Sequence, residues 1–460
     1  MTENYDKLFS NPKAKRVHFI GIGGAGMSVL ARILLALGFE VSGSDLNKSG
    51  ITDRLSSLGA VIFQGHLEEQ VDGVDLVVYS SAVGQNNPEL MAARRIGIDV
   101  YHRSDLLAEL MRAKRGIAVA GSHGKTSTSA MIAWILVESG RSPALALGGV
   151  VMGLEDHEGW GPGNYLVAEA DESDGSLSRF DPVVEVVTGL DLDHVDYYSD
   201  WEKLIETFQR FVSRLPEDGR LVIESGTPDL DRISRDVTEV VTYGLSPSAR
   251  VRGSRIRFDR EGSRFTVSED DAELGEIVLK RPGTCNITNS LGAIACCLKE
   301  GVSFYDIARN LRDFRGVRRR LEIKSESPVM IVEDYAHHPV EVAAALEAIR
   351  LTGPGRLWCV FQPHRYTRTQ RYFLELAQSL LAADRIILTD LYPAFELPLA
   401  GVSSDLILNA LRDMNRPDAQ LMDQSSIRPY LEKEVIKGDA VIIMGAGDIG
   451  HLAGELSFPC

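Results

Sequence analysis

Short apolar runs that empty into glycine-rich or acidic turns recur along this chain, each followed by a longer stretch with helical spacing. That alternation predicts βα units and mostly parallel sheets, an α/β fold class. One series of strands is expected at 17–20, 40–43 and 75–79, with an apolar helix over 27–37. A second is expected at 117–120, 165–168 and 183–188, with an apolar helix over 129–139. From 251 to 280 the pattern turns to short alternating strands broken by glycine, predicting an antiparallel flap before a helix at 286–300. A third series, 329–333, 357–361, 385–389 and 440–444, predicts another small α/β sheet.

The turns after these strands carry the chemistry, because ligands of such sheets gather at the carboxyl ends of the strands. The run ending at Ala120 leads into Gly121-Ser122-His123-Gly124-Lys125-Thr126-Ser127. Its glycines let backbone N–H groups approach phosphate oxygens, Lys125 adds a point charge, the Thr126 hydroxyl can ligate Mg²⁺, and the next helix presents its positive end. The full phosphate-loop pattern has a glycine where this chain has Val119, so the motif is a shortened variant and its strand-turn-helix context carries the reading. A nucleoside triphosphate is the expected guest. Glu169 and His194 follow strands of the same series and form with Thr126 a candidate divalent-metal set, although Mg²⁺ prefers oxygen to imidazole.

Gly21-Ile22-Gly23-Gly24-Ala25-Gly26 is a dinucleotide-type turn, and Asp45 stands roughly where such a fold holds a ribose. Alone it would suggest NAD, but any nucleoside diphosphate can sit on that helix N-terminus. Asp334-Tyr335-Ala336-His337-His338-Pro339 and Gln362-Pro363-His364-Arg365-Tyr366-Thr367-Arg368 follow strands of the third series. They gather cations and imidazoles suited to carboxylates or phosphates. Gly445-Ala446-Gly447-Asp448-Ile449-Gly450 repeats the glycine pattern too near the end for a dinucleotide unit and reads as a nucleotide-edge turn at best.

At 460 residues the chain exceeds a single core, and at roughly 100–200 residues per domain it should hold about three. A net charge of −16, with only the short 315–320 arginine cluster against it, excludes a nucleic-acid surface and leaves small molecules as partners. No stretch approaches the roughly 20 apolar residues of a membrane span, and the start lacks the order of a signal peptide, so no membrane partner and a cytoplasmic location are expected. Cys285, Cys296, Cys297, Cys359 and Cys460 show no metal or redox spacing and read as reduced thiols.

These motifs resemble, in order and spacing from about residue 15 to 448, the Mur ligases of bacterial peptidoglycan synthesis. The match includes Gly21 to Ser28, the Gly121 loop, Glu169 to Asp174, Asp193-His194, Pro282-Gly283 with Asn286 and Asn289, Gly316 to Arg320, and the two His/Arg loops. The resemblance implies three domains: a Rossmann-like UDP-sugar-binding domain at 1–110, a central ATP-binding domain at 111–322, and a Rossmann-like amino-acid-binding domain at 323–460. The sugar nucleotide would lie on Gly23, Gly24, Ala25, Gly26 and Met27, with Asp45, His66, Ser80 and Ser81 nearby. ATP would lie on Gly121 to Ser127, Asn286 and Asn289, reached by Arg320 and Asp334, with Mg²⁺ at Thr126, Glu169 and His194. Tyr335, His337, Arg365 and Arg368 would position the amino acid.

The dense His/Arg loops favour the member that joins L-alanine to UDP-N-acetylmuramate, through an acyl phosphate formed when the muramyl carboxylate attacks the γ-phosphoryl of ATP. Lys125, Glu169, His194, Arg320 and His337 are then the expected catalytic set. Cys285 departs from relatives, which often carry histidine there. No lysine occurs at 207–210, where sibling enzymes carry a carbamylated one. A ligase recycling a preformed tripeptide, a nicotinamide dehydrogenase and a non-catalytic nucleotide-binding module remain alternatives.

Overall fold

The computed structural model describes residues 15–458 except 156, 158, 173–174, 193–197, 199, 260 and 395. The chain divides into two compact units, one of 1–253, 267–275 and 288–311, the other of 254–266, 276–287 and 312–460. Three sheets are built from it.

The first sheet contains β1 (Arg16–Ile20), β2 (Glu40–Asp45), β3 (Val61–Gln64), β4 (Leu76–Tyr79) and β5 (Asp99–His102), in the order β3-β2-β1-β4-β5. All its pairings are parallel. The order reverses between β1 and β4, which opens a crevice at the carboxyl edge where the Gly21 turn lies. Helix Ala25–Ala36 begins inside the glycine motif, two residues before the start expected from its apolar spacing. Asp45 and Glu169, expected just after strands, are instead their last residues.

The second sheet contains β6 (Arg115–Ala120), β7 (Ala144–Ala146), β8 (Tyr165–Glu169), β9 (Val184–Val187), β10 (Arg220–Glu224), β11 (Glu239–Gly244), β12 (Val251–Asp259), β13 (Gly262–Glu269) and β14 (Ala272–Leu279). Its order is β7-β8-β6-β9-β10-β11-β12-β13-β14. Strands β6 to β11 pair in parallel, whereas β12, β13 and β14 follow one another through two-residue links that only antiparallel neighbours can use. This is the flap read from the alternating pattern. The first sheet and the parallel part of the second share one core, in which Phe19, Leu30 and Leu34 join Ala118, Leu166, Phe208 and Phe211. Helix Lys125–Glu138 is buried on nearly all sides, and its Trp134 indole donates to the Asn310 carbonyl at 2.8 Å.

The third sheet, in the second unit, orders β15 (Glu322–Ser325), β16 (Met330–Asp334), β17 (Leu357–Phe361), β18 (Arg385–Leu388), β19 (Gln420–Leu421) and β20 (Ala440–Met444) as β15-β16-β20-β17-β18-β19. Only β15 runs antiparallel to its neighbour. Helices cover both faces, with Leu346, Leu376 and Leu411 on one and Ile427, Leu431 and Leu452 on the other. Among the described residues no helix is long and apolar enough to cross a membrane. The described cysteines, Cys285, Cys296, Cys297 and Cys359, are free thiols, and Cys460 lies outside the described residues.

Candidate active site

Strand β6 delivers its backbone directly into the phosphate loop. Gly121 has φ of +131°, and a Cβ there would lie 2.4 Å from the Thr188 hydroxyl. At Gly124, φ is +84° and a Cβ would meet the Asn289 side-chain oxygen at 2.3 Å. Both positions therefore exclude side chains, for conformational and for spatial reasons. Strand β9 braces the loop from the side: Thr188 Oγ1 donates to the His123 carbonyl at 2.6 Å, and Ser122 Oγ lies 2.8 Å from both the Asp191 carbonyl and its amide. The loop is thus braced by its own sheet.

Lys125 opens the following helix, and its ammonium donates to the carbonyl of Gly121 at 2.6 Å and to Glu172 Oε1 at 2.8 Å. Burial alone would lower its pKa, but the Glu172 and Glu169 carboxylates outweigh burial and hold it above the usual lysine value. The lysine is a fixed cation. Thr126 Oγ1 donates to Glu169 Oε1 at 3.1 Å, and the Gly148 amide donates to the other Glu169 oxygen, also at 3.1 Å. A hydroxyl and a carboxylate meeting at the loop suit a hard divalent cation. His194, the third expected ligand, lies outside the described residues.

On the first sheet the expected sugar-nucleotide residues gather at the carboxyl edge. Asp45 Oδ2 accepts the Gly23 amide at 2.9 Å, which ties the end of β2 to the glycine turn. Ser81 Oγ lies 3.0 Å from His102 Nε2, and Ser80 follows β4 directly. Gly24 is the N-cap of the helix, with Ala25, Gly26 and Met27 in its first turn, so their amides form a positive helix end. His66 follows β3 and faces Glu89.

In the second unit, β16 ends at Asp334, whose buried carboxylate accepts the amides of Leu321 at 2.6 Å and Ala336 at 2.7 Å. Burial raises its pKa to about 6 against the pull of Arg320 and those amides. Arg320 lies 5.1 Å over the Tyr335 ring and 3.9 Å from Glu341. His337 lies 3.0 Å from the Tyr335 carbonyl through Nδ1, and burial, offset in part by Glu341 and helped by Arg368, lowers it to about 4. His364, sheltered and beside His337 and Arg368, is lowered to about 3. Arg368 Nη1 is 3.3 Å from His364 Nδ1, and His364 stacks on Tyr392. These are neutral imidazoles among cations, an environment that attracts a carboxylate. Arg365 caps helix Tyr366–Leu380 with φ of +68°, its amide donating to the Tyr392 carbonyl at 2.8 Å. A positive φ at a non-glycine residue is uncommon, and it directs attention to this turn.

The carbonyls of Gly445 and Gly447 both accept Arg319 Nη2 at 2.9 Å, so the turn at 445–450 braces this guanidinium. Asn286 turns its amide nitrogen to the Pro282 carbonyl at 2.7 Å, while Asn289 reaches the phosphate loop. Glu172 and His364 stand inside clusters conspicuous in the sequence, at 169–174 and 362–368, whereas the residue types alone do not mark Thr188 or Tyr392. Tyr392 is joined to its site only by tertiary contact.

A nine-stranded sheet carrying a phosphate loop, with a smaller parallel-rich sheet on each side in sequence, defines a class of ATP-using ligases, and the chain belongs to the Mur ligase family. Family models described as the Mur ligase family catalytic domain, middle domain and glutamate ligase domain match residues 16–115, 119–297 and 319–447. The chain is 43% identical over 445 residues to the UDP-N-acetylmuramate–L-alanine ligase of Desulfotalea psychrophila, covering 96% of this chain and 97% of that one. It is 40% identical over 447 residues to the enzyme of the same name from Syntrophus aciditrophicus, covering 96% and 93%. Among solved structures it is similar to the UDP-N-acetylmuramate–alanine ligase of Thermotoga maritima, with a TM-score of 0.81 and 27% identity over 96% of this chain and 97% of that one. A murein peptide ligase from Psychrobacter arcticus gives a TM-score of 0.69 at 25% identity over 96% and 98%.

Proposed function

We propose that this chain is an ATP-dependent, amide-forming ligase that joins L-alanine to the lactyl carboxylate of UDP-N-acetylmuramate, a cytoplasmic step of peptidoglycan precursor synthesis. The observation that carries this reading is the fixed cation in the braced loop, Lys125 between the Gly121 carbonyl and Glu172. Identity of about 40% across nearly the whole length to ligases of that name supports the choice of substrates.

The division of labour follows the division proposed from the sequence, at 1–110, 111–322 and 323–460. The helix end at Gly24 to Met27 holds the diphosphate of the sugar nucleotide, with Asp45 keeping the turn in shape and His66, Ser80 and Ser81 at its rim. Gly121 to Ser127 and Asn289 cradle the triphosphate, with Asn286 on the same helix. Lys125 stabilises charge on the phosphoryl group as the muramyl carboxylate attacks it and ADP leaves. Arg320 and Asp334 serve the same nucleotide. The amine of L-alanine then attacks the acyl phosphate and releases inorganic phosphate. Tyr335, His337, Arg365 and Arg368 hold the amino acid, and the neutral His337 has the protonation state to accept the amine's proton. Thr126 and Glu169, with His194, would hold Mg²⁺, which when bound supplies charge neutralisation on the phosphate oxygens.

Phosphate release with UDP-N-acetylmuramate and ATP, measured across single amino acids and a preformed tripeptide, tests the reading. Release dependent on L-alanine is expected. Release dependent on the tripeptide alone would make this the recycling ligase, and ATP binding without release would make it a binding module.

A further inference from the structure

The first sheet buries a polar network for which the ligation chemistry has no use. Glu89, in the first turn of helix Pro88–Ile96, is fully buried. His18 Nε2 lies 2.9 Å from its Oε1, while Ser44 Oγ and His66 Nδ1 each lie 2.7 Å from Oε2. In its satisfied orientation the Gln70 amide donates to Oε1 as well, at 2.6 Å. Burial would push the carboxyl up, but the bonds from His18, Ser44 and His66 outweigh burial and hold it below the usual glutamate value. Glu89 is an ionised carboxylate with both oxygens satisfied.

A buried charge of this kind contributes little stability that an apolar side chain of equal volume could not supply. What it does supply is orientation. His18 uses both ring nitrogens, Nε2 on Glu89 and Nδ1 at 2.9 Å from Ser42 Oγ, and its ring is fully buried. It is an internal brace. His66 is different: Nδ1 lies 2.7 Å from Glu89 Oε2 and 3.0 Å from Ser44 Oγ, whose hydroxyl donates to the same carboxylate oxygen, so Nδ1 is the donor to Glu89; the side chain is 18% exposed, and among the described residues Nε2 has no hydrogen-bond partner. It stands at the carboxyl edge, just after Gly65, whose amide donates to the Asp45 carbonyl. A neutral imidazole has one N–H, so giving it to Glu89 leaves Nε2, across the ring, as a bare acceptor.

We propose that Glu89 is a positioning residue that locks His66 in the Nδ1–H tautomer, so that Nε2 accepts a hydrogen bond from a hydroxyl or N–H group of the nucleoside part of the bound nucleotide. This rests on reading the first sheet's carboxyl edge as the uridine nucleotide site. Phosphate oxygens are acceptors and do not match a bare Nε2, so the diphosphate stays with the amides of the glycine turn.

The test has three parts. Titration calorimetry of the whole chain with UDP fixes the site reading first, and absence of binding overturns it. Imidazole nitrogen NMR of the nitrogen-labelled wild type, with His66 assigned by its loss in His66→Ala, should show Nδ1 protonated and Nε2 bare. The reverse tautomer overturns the proposal while leaving UDP binding in place. In Glu89→Gln that tautomer should be lost and the KM for the sugar nucleotide should rise about five- to tenfold, the worth of one hydrogen bond, with kcat and the KM for ATP held within about twofold. An unchanged sugar KM, or equal loss of kcat and thermal stability, assigns Glu89 a purely structural part and overturns the proposal. Should Glu89→Gln fail to fold, the wild-type tautomer alone decides.

Discussion

The Lys125 ammonium lies 2.8 Å from a Glu172 carboxylate that is almost wholly buried, so the loop's cation has an anion beside it. The two charges act in opposite directions on a triphosphate. Lys125→Ala should lower the ligation rate by about 10²–10³, the usual cost of one transition-state electrostatic donor, with binding of UDP nearly unchanged because the uridine site is assigned to another sheet. Steady-state phosphate release and UDP calorimetry check this, and a variant keeping more than half the activity removes the loop from the mechanism. Glu172→Gln removes a buried negative charge from beside the phosphates and should tighten ATP binding several-fold. Weaker ATP binding would mean that Glu172 is needed to shape the loop.

Arg365 and Arg368 should be sensitive even to changes that keep their charge. A guanidinium grips a carboxylate with two parallel bonds where lysine offers one point charge. Arg365→Lys or Arg368→Lys should raise the KM for L-alanine about tenfold or more, as expected for a lost charged hydrogen bond of about 1.5–3 kcal/mol, with a smaller effect on ATP. Separate titrations of alanine, ATP and sugar nucleotide make the comparison. Unchanged alanine KM in both variants would move the amino-acid site to Tyr335 and His337.

Cys285 precedes Asn286, which invites the idea of a thiol reactive at the nucleotide site. Burial, with Asp334 and Glu347 adding to it, pushes this thiol up to about 12. Little thiolate exists near neutrality, and thiolate is the nucleophile. Alkylation of the native enzyme followed by mass mapping should leave Cys285 unlabelled with or without ATP, and label it after denaturation. Rapid labelling that ATP slows would reverse this.

Glu185 on β9 is fully buried, and neither of its oxygens has a hydrogen-bond partner among the described residues. Burial raises its pKa well above the ordinary glutamate value, with only Arg214 opposing. The folded protein therefore holds this proton after the unfolded chain has released it. Below the unfolded pKa of about 4.3 the group has no linked cost, and as pH rises toward the folded pKa it destabilises the fold progressively. Glu185→Met should raise the melting temperature, with a gain over wild type that widens between about pH 5 and 8. A pH-independent difference would mean that Glu185 is ionised in the fold.

The strands and their turns were legible because apolar runs, glycines and acidic caps are local signals. The flap at 251–279 announced itself by period and the phosphate loop by spacing. Asp45 shows the limit: its position at the carboxyl edge was readable, but not that its carboxylate turns back to the Gly23 amide. Glu89 shows it more sharply, since a glutamate in the first turn of a helix reads as a solvated N-terminal charge, and only folding aligns it with His18, Ser44 and His66 across the sheet. Tyr392 reaches His364 through an isolated bridge between distant segments, a pairing that no local pattern encodes.

The most direct measurement follows the oxygen atoms. With the muramyl carboxylate of UDP-N-acetylmuramate carrying heavy oxygen at both positions, attack on the γ-phosphoryl followed by displacement with L-alanine should place one heavy oxygen in inorganic phosphate and leave the other in the amide product. Mass spectrometry of both products reads this in a single turnover. Unlabelled phosphate alongside a labelled amide would contradict the acyl-phosphate route, and phosphate release with no amide would contradict ligation itself.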